Sequence, residues 1–192
     1  MKRLIQRISA VVLSAVLLTG AVSVPAQAAN VSNFQDVSQT DYYAQAVDWA
    51  VEHGVTAGTS DTQFSPAATI TRAQAMTFLW RAAGSPQPDS TVSPFVDVSP
   101  EAYYYVPVLW AAENGVTGGV SENQFGPEQT LAYDQILTFI SKLAGESGTG
   151  ADWSEAALNW AESSGLADGL TFSAKGSCPR SDVIYFLWRQ LA

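Results

Sequence analysis

The sequence predicts an all-α fold built from three helix–loop–helix repeats, and two observations support this prediction. First, Phe34-Gln35-Asp36-Val37 recurs as Phe95-Val96-Asp97-Val98, and many later residues recur at the same offset without a gap. Second, the apolar residues within each repeat have helical spacing and are bounded by capping residues and glycines. Units this short bury little surface alone, so we expect one composite domain.

The third repeat is shorter than the other two. A three-residue deletion aligns Pro179-Arg180-Ser181-Asp182 with Thr71-Arg72-Ala73-Gln74. The other matched sets are Tyr42-Tyr43 with Tyr103-Tyr104; Trp49-Ala50 with Trp110-Ala111 and Trp160-Ala161; Gly54-Val55-Thr56 with Gly115-Val116-Thr117; Gly58 with Gly119 and Gly169; Gln63-Phe64 with Gln124-Phe125; and Phe78 with Phe139 and Phe186.

Residues 1–28 have the features of a signal peptide. Basic residues at the start precede an apolar run from Ile8 to Val24, and Ala26-Gln27-Ala28 fits a cleavage site. We therefore expect a secreted chain with repeats at 29–86, 87–147 and 148–192, no further domain, and no membrane span after cleavage.

The first helix of the first repeat is predicted from Tyr42 to His53. Asp41 is the candidate N-cap, and Gly54 is the expected stop. In the second repeat Pro107 interrupts this pattern. Because proline is tolerated only in a first helical turn, that helix is expected to start near Val106.

The second helix of the first repeat is predicted from Arg72 to Ala83, ending at Gly84. Thr71 and Gln74 have the spacing of a capping box. The loop Thr56–Ala68 before this helix is rich in turn residues, and we expect Phe64 within it to fill the core.

Arg72 occupies an unusual position, because a cation in a first helical turn opposes the helix dipole. Its side chain could extend into solvent. Alternatively, its guanidinium and free backbone N–H groups could together bind a carboxylate or phosphate. The repeats favour the second interpretation, since Arg180 holds the equivalent position in the third repeat. Tyr133 and Asp134 depart from the pattern in the second repeat, and we expect an altered site there.

The charge balance excludes a general polyanion-binding protein. The formal net charge is −9, and the predicted leader holds three of the nine Lys and Arg but none of the eighteen Asp and Glu. A basic footprint for nucleic acid is therefore absent, and broad attraction to anionic membrane or wall polymer is not expected. Any bound anion requires a local site.

No catalytic, metal or cofactor motif stands out. His53 is the only histidine and Cys178 the only cysteine, so zinc ligation lacks the several His or Cys residues that it needs. A Ser–His or Cys–His system would need His53 beside a nucleophile, and no nucleophile motif is evident. Cys178 is expected to be a buried apolar side chain. A glycan-cleaving pair of carboxylates stays open, although no pair is singled out.

The repeated pattern of Phe-x-Asp-Val, Trp-Ala, Gly-Val-Thr-x-Gly, Phe-x-Pro and Ile-Thr-Arg-Ala-Gln resembles the S-layer homology domain family. The resemblance implies three tandem domains that form one pseudo-threefold, three-pronged fold around a central helical bundle. It also implies non-covalent, non-catalytic attachment to the bacterial cell wall or S-layer. The implied partner is secondary cell wall polysaccharide, often carrying carboxylate on pyruvylated sugar, or modified peptidoglycan.

The resemblance also implies site residues. Arg72 and Arg180 match the ligand-binding arginine of the family, whereas Gln74 and Asp182 stand where the family usually has Glu. Thr71 and Trp80 are further candidates for glycan contact. For Thr71, Gln74 and Asp182, helix capping remains an equally good interpretation.

Other residues of the pattern favour a structural role. The repeated Trp49, Trp110 and Trp160 favour packing over a sugar platform, and Asp36 and Asp97 favour a turn or capping role over contact with sugar hydroxyls. Two alternative functions remain: a surface-layer or adapter protein acting through protein contacts, and a small glycan-cleaving wall enzyme.

Overall fold

The computed structural model describes residues 33–146 and 152–192, and within these ranges the chain forms six α-helices and isolated bridges but no strand. The helices are α1 (Ala44–Glu52), α2 (Arg72–Ala82), α3 (Tyr105–Glu113), α4 (Tyr133–Leu143), α5 (Trp153–Ser163) and α6 (Arg180–Leu191). The prediction of an all-α fold is confirmed over these ranges. The predicted signal peptide and most of the linker Gly145–Gly150 lie outside the described residues.

The helices pair between the predicted repeats rather than within them. The inner helices α2, α4 and α6 contact one another, while α1 packs against α6, α3 against α2, and α5 against α4. Each outer helix therefore covers the inner helix of a different repeat, which explains why one repeat cannot bury its own apolar face. The pseudo-threefold, three-pronged arrangement stays a prediction, and this cyclic order of contacts supports it.

The start of each inner helix is joined to the loop of another repeat. The backbone N–H groups of Arg72 and Ala73 donate to the carbonyls of Gln129 and Pro127, at 2.8 and 3.0 Å. The equivalent bonds link Tyr133 with Gly176, Asp134 with Ala174, Arg180 with Ala68, and Ser181 with Pro66. The structure thus differs from the expectation that these amides are free for an anion, because neighbouring loops satisfy them.

Several helix boundaries agree with the sequence. Thr71 and Gln74 form the predicted capping box, and Gly54 follows α1 with φ of 68°. Pro107 lies in the first turn of α3, which begins at Tyr105. The prediction of Asp41 as N-cap is wrong. Tyr43 is the N-cap without a side-chain bond, because the Asp41 carboxylate instead accepts the Ser38 N–H and closes the preceding turn.

The core contains the loop phenylalanines Phe64 and Phe125, which are fully buried, as predicted for Phe64. Cys178 is also fully buried, and burial raises the pKa of its thiol, in keeping with an apolar packing role. In the part of the chain that the structure describes, no helix is both long and apolar enough to cross a bilayer.

Candidate functional site

Arg72 and Arg180 lie in matching sites at the starts of α2 and α6. The guanidinium carbon of Arg72 lies 5.0 Å from the ring centroid of Phe125 and 5.2 Å from that of Phe139. For Arg180 the two rings are Phe64, at 5.1 Å, and Phe78, at 4.8 Å. We call each pair of rings an aromatic socket. Only 3% of Arg72 and 6% of Arg180 is exposed, so the sockets replace solvent around both cations.

Polar contacts fix each guanidinium within its socket. Arg72 Nε donates to the Phe125 carbonyl at 2.8 Å, and its Nη2 donates to the Thr117 hydroxyl at 3.4 Å. Arg180 Nη2 donates to the equivalent Thr56 hydroxyl at 2.6 Å. Its Nε is buried without a partner among the described residues. The threonine of the repeated Gly-Val-Thr motif therefore anchors both arginines.

Among the described residues, no carboxylate forms an ion pair with either arginine. The ion pair between Lys175 and Asp134 involves neither of them. Burial lowers the pKa of Arg180 to about 10, and also lowers that of Arg72, although nearby Asp97 opposes this effect. Both stay cationic at neutral pH, because a guanidinium group is not deprotonated in a protein under these conditions. A buried cation without a counter-ion is unfavourable, and an incoming anion would offset that cost.

One edge of each guanidinium remains available. Within the described ranges, no hydrogen bond uses the Nη1 atom of Arg72 or Arg180. A ligand carboxylate at this edge would receive a charge-assisted hydrogen bond.

Asp36 and Asp97 hold the loops that carry the socket rings. The two carboxylate oxygens of Asp36 accept the backbone N–H groups of Phe64 and Ser65 at 2.9 and 2.8 Å. Asp97 makes the same pair of bonds to Phe125 and Gly126, both at 2.8 Å. This geometry supports the structural role that the sequence favoured for these carboxylates.

The start of α4 has the same socket with a different occupant. Tyr133 stacks on Phe172, with centroids 4.2 Å apart and an interplanar angle of 8°, and meets the edge of Phe186 at 6.3 Å. Sequence reasoning did not single out Phe172. Phe172 aligns with Phe64 and Phe125 when the three-residue deletion in the third repeat is placed before it, and this alignment would have identified it.

Asp182 is shared by two tyrosines instead of capping α6. Its oxygens accept the hydroxyls of Tyr133 and Tyr42, and only 4% of the residue is exposed. Burial and the bond to Asp182 raise the pKa of both tyrosines. The capping interpretation of Asp182 is wrong, because Pro179 at the N-cap has no N–H to offer.

The remaining predicted site residues have structural contacts. Gln74 Oε1 accepts the Thr71 N–H at 3.1 Å, and the Thr71 hydroxyl accepts the Gln74 N–H at 3.3 Å. The Trp80 indole donates to the Pro86 carbonyl at 2.8 Å near the far end of α2. The structure therefore gathers Thr71, Arg72 and Gln74 at one helix start, and Arg180 and Asp182 at another, while Trp80 lies apart from them.

Three exposed aromatic side chains lie beside these helix starts, and sequence reasoning missed them as site residues. Tyr42 is 51% exposed, Tyr103 64% and Trp153 44%. Burial and the nearby Glu128 raise the pKa of Tyr103, while a hydrogen bond with Thr71 lowers it, so Tyr103 lies next to the start of α2. The alignment that matches Trp110 with Trp160 also matches Tyr103 with Trp153. It could have shown that these exposed aromatic residues occupy equivalent positions.

Comparison with known proteins agrees with the repeated motifs. Residues 33–76 and 94–134 match the family model of the S-layer homology domain. A cell surface protein of Thermoanaerobacter kivui is 30% identical over 197 residues, covering 100% of this chain. A surface-layer 125 kDa protein of Lysinibacillus sphaericus is 30% identical over 84% of the chain. An endoglucanase of Bacillus sp. (strain KSM-635) is 31% identical over 56% of the chain.

The similarity covers only a part of each relative. The chain spans 24% of the Thermoanaerobacter protein, 14% of the Lysinibacillus protein and 11% of the endoglucanase. The two segments that match the family model contain the starts of α2 and α4, and the predicted third repeat with Arg180 lies outside them.

Proposed function

We propose that this chain is a non-catalytic module at the bacterial cell surface that binds cell wall glycan non-covalently through the starts of α2 and α6. The ligand is a secondary cell wall polysaccharide that carries carboxylate, as on pyruvylated sugar, or a modified peptidoglycan. The chain would be secreted and held at the wall or S-layer by this contact. The match of two segments to the S-layer homology domain supports this assignment.

The observation that carries the proposal is the pair of buried arginines that have no counter-ion in the described part of the chain. Arg72 and Arg180 are held by equivalent rings and threonines and each keeps an unused Nη1 edge. Exposed Tyr103 and Tyr42 lie beside these two helix starts. An aromatic face next to a few convergent polar groups suits a sugar ring that carries an acidic substituent.

The test is sedimentation of the protein with purified wall sacculi. Arg72→Ala and Arg180→Ala should each weaken binding about tenfold to a hundredfold, which corresponds to one charge-assisted hydrogen bond of about 1.5–3 kcal/mol. The double variant should remain in the supernatant. Arg81→Ala removes the same charge from the exposed end of α2 and serves as the control.

Circular dichroism must show that every variant is folded. If the folded double variant sediments as well as the unchanged protein, the site assignment is wrong. Mild acid treatment of the sacculi, which hydrolyses pyruvate ketals, should also abolish sedimentation if the carboxylate is a pyruvate group.

The two alternatives make different predictions. A surface-layer or adapter role through protein contacts predicts assembly without glycan, which light scattering of the purified chain would detect. A glycan-cleaving role predicts release of reducing sugar from sacculi. His53 offers little for catalysis, since its Nδ1 lies 2.8 Å from the Trp49 carbonyl and its ring stacks on Trp49.

A further inference from the structure

The start of α4 differs from the starts of α2 and α6 at three neighbouring positions, beyond the exchange of arginine for Tyr133. The loop carbonyls that bond to each helix start define which positions are equivalent. Asp134 stands where the other starts have Ala73 and Ser181. The other two exchanges are Lys175 in place of Glu128 and Ala67, and Trp153 in place of Tyr103 and Tyr42.

These three residues meet around one ammonium group. Lys175 Nζ pairs with the Asp134 carboxylate, lies 3.5 Å from the Ser154 hydroxyl, and lies 4.9 Å from the centroid of the Trp153 ring. The Ser154 hydroxyl donates to the same Asp134 oxygen at 2.6 Å. We call Asp134, Trp153 and Ser154 the ammonium cage. A carboxylate beside an aromatic face is a favourable environment for a cation.

The carboxylate of the cage is buried and held by a hydrogen bond, whereas its present occupant is largely exposed. Asp134 is completely buried, lies in the first turn of α4 where the helix dipole favours a carboxylate, and is fixed by Ser154. Its Oδ1 atom is buried and has no partner in the ranges that the structure covers. The Lys175 side chain is 70% exposed. Its departure into water would cost little, provided that another cation replaced it.

Space for a sugar ring adjoins the cage. A cavity of about 210 Å³ lies between α4 and α5, and Trp153 belongs to both the cavity and the cage. Trp160 forms another part of its wall, with Ser141, Lys142 and Glu146 as polar neighbours. A cavity with indole rings and a few polar groups fits a single sugar residue better than a flexible aliphatic amine.

We propose that the start of α4 is a binding site for an amino sugar with a free ammonium group, and that Lys175 occupies this site in the absence of ligand. The ligand ammonium would replace the Lys175 ammonium against Asp134 and Trp153, so that the buried charge stays paired throughout. The inference rests on the proposed function only in taking the ligand to be a glycan. On this proposal the starts of α2 and α6 bind a negatively charged group, whereas the start of α4 binds a positively charged one.

The alternative reading of the same geometry gives Lys175 the opposite role. If Lys175 replaced the missing arginine as the cation for an anionic ligand, its removal would weaken binding. If it is an internal occupant, its removal must strengthen the binding of an amine. The sign of the effect of one substitution therefore separates the two roles.

The experiment is a titration of the full chain with a β-1,4-linked glucosamine tetrasaccharide, followed through the indole N–H signal of Trp153. Trp153→Phe identifies this signal, and the fully N-acetylated tetrasaccharide is the matched control ligand. Lys175→Gln should tighten binding of the free amine about tenfold, if Lys175 fills the cage nine-tenths of the time. Asp134→Asn should abolish it, and Glu128→Gln at the equivalent place beside α2 should have no effect.

Several outcomes overturn the proposal. These are weaker or unchanged amine binding by Lys175→Gln, or equal binding of the acetylated tetrasaccharide. If Lys175→Gln fails to fold, the unchanged protein still tests the proposal. Binding of the amine must then shift the NMR signals of the Lys175 side chain to those of a free lysine, and the absence of that shift would overturn the proposal. The double variant Arg72→Ala, Arg180→Ala should bind the free amine as well as the unchanged protein does. Failure of the amino-sugar proposal is therefore distinguishable from failure of the wall-binding proposal.

Discussion

The start of α6 and the start of α4 place different chemistry in the same architecture. At α6 the socket of Phe64 and Phe78 encloses Arg180, whereas at α4 the socket of Phe172 and Phe186 encloses a tyrosine. The α6 socket holds a cation that has no carboxylate partner among the residues the structure describes. The α4 socket holds a neutral ring whose hydroxyl donates to a buried carboxylate.

This difference separates the side-chain shape that fills the socket from the charge that would bind a ligand. A guanidinium and a phenol ring both offer a flat face, so either one can fill the space between two phenylalanines. Only the guanidinium leaves a positive charge and unused donors. The packing role of this position is therefore common to the inner helices, while its charge varies, and the charge is the property that bears on binding.

The largest expected effect comes from removing a ring of each socket. Phe125→Ala should lower the free energy of unfolding by about 3–5 kcal/mol, because a fully buried ring leaves a cavity and uncovers Arg72. Phe172→Ala should cost about 1–2 kcal/mol, since Phe172 is partly exposed and stacks on a neutral ring. Urea unfolding followed by circular dichroism measures both.

Equal losses for the two variants would contradict the comparison, because the sockets would then contribute equally despite their different exposure. Phe64→Ala serves as the internal check. It is as buried as Phe125 and lies against Arg180, so its loss should match that of Phe125 rather than that of Phe172.

The local features of this fold could be predicted from the sequence. The capping box of Thr71 and Gln74, the stop at Gly54 and the first-turn position of Pro107 all depend on short-range chemistry. The burial of Phe64 was also predicted, but only from its apolar ring, since its neighbour Arg180 is distant in the sequence. Because the sequence repeats, a local feature found in one repeat can be assigned to the same position in the next. In this way the sequence showed that Arg72 and Arg180 are equivalent.

The contacts between repeats could not be predicted in the same way. The pairing of α1 with α6 joins the two ends of the described chain, and nothing in the spacing of either helix specifies its partner. The shared role of Asp182 depends on Tyr42, which is 140 residues away. The loop carbonyls that satisfy the helix starts also lie far away in the sequence, so the first-turn amides were expected to be free.

An intermediate effect is expected when Asp182 loses one tyrosine donor. Tyr133→Phe should lower the free energy of unfolding by about 1–2 kcal/mol at neutral pH, because a hydrogen bond to a buried carboxylate is lost while Tyr42 still donates. Thermal or urea unfolding at pH 7 measures this difference.

The same variant should alter the dependence of stability on pH. The pKa of Tyr133 is raised in the folded protein above the unfolded value near 10, so its contribution is complete below about pH 10 and is lost as the pH rises further. Tyr133→Phe should therefore show a shallower fall in stability above pH 10. An unchanged slope would contradict this assignment, and Tyr105→Phe, whose hydroxyl donates to the Thr91 carbonyl at an exposed site, is the control.

The smallest expected effect tests the helix caps themselves. Thr71→Ala should lower the free energy of unfolding by about 1 kcal/mol, because the Gln74 N–H loses its acceptor.

At the start of α4 only one of the two capping hydrogen bonds is present. The Gln135 side chain already accepts the Ala132 N–H at 3.0 Å, but alanine offers no hydroxyl in return. The backbone at Ala132 has φ of −85° and ψ of 164°, almost the values of −84° and 163° at Thr71. Ala132→Thr should therefore stabilise the protein by a similar amount. If Ala132→Thr is neutral while Thr71→Ala is costly, the hydroxyl of Thr71 contributes through its neighbour Tyr103 rather than through the cap, and Tyr103→Phe should then reproduce the loss.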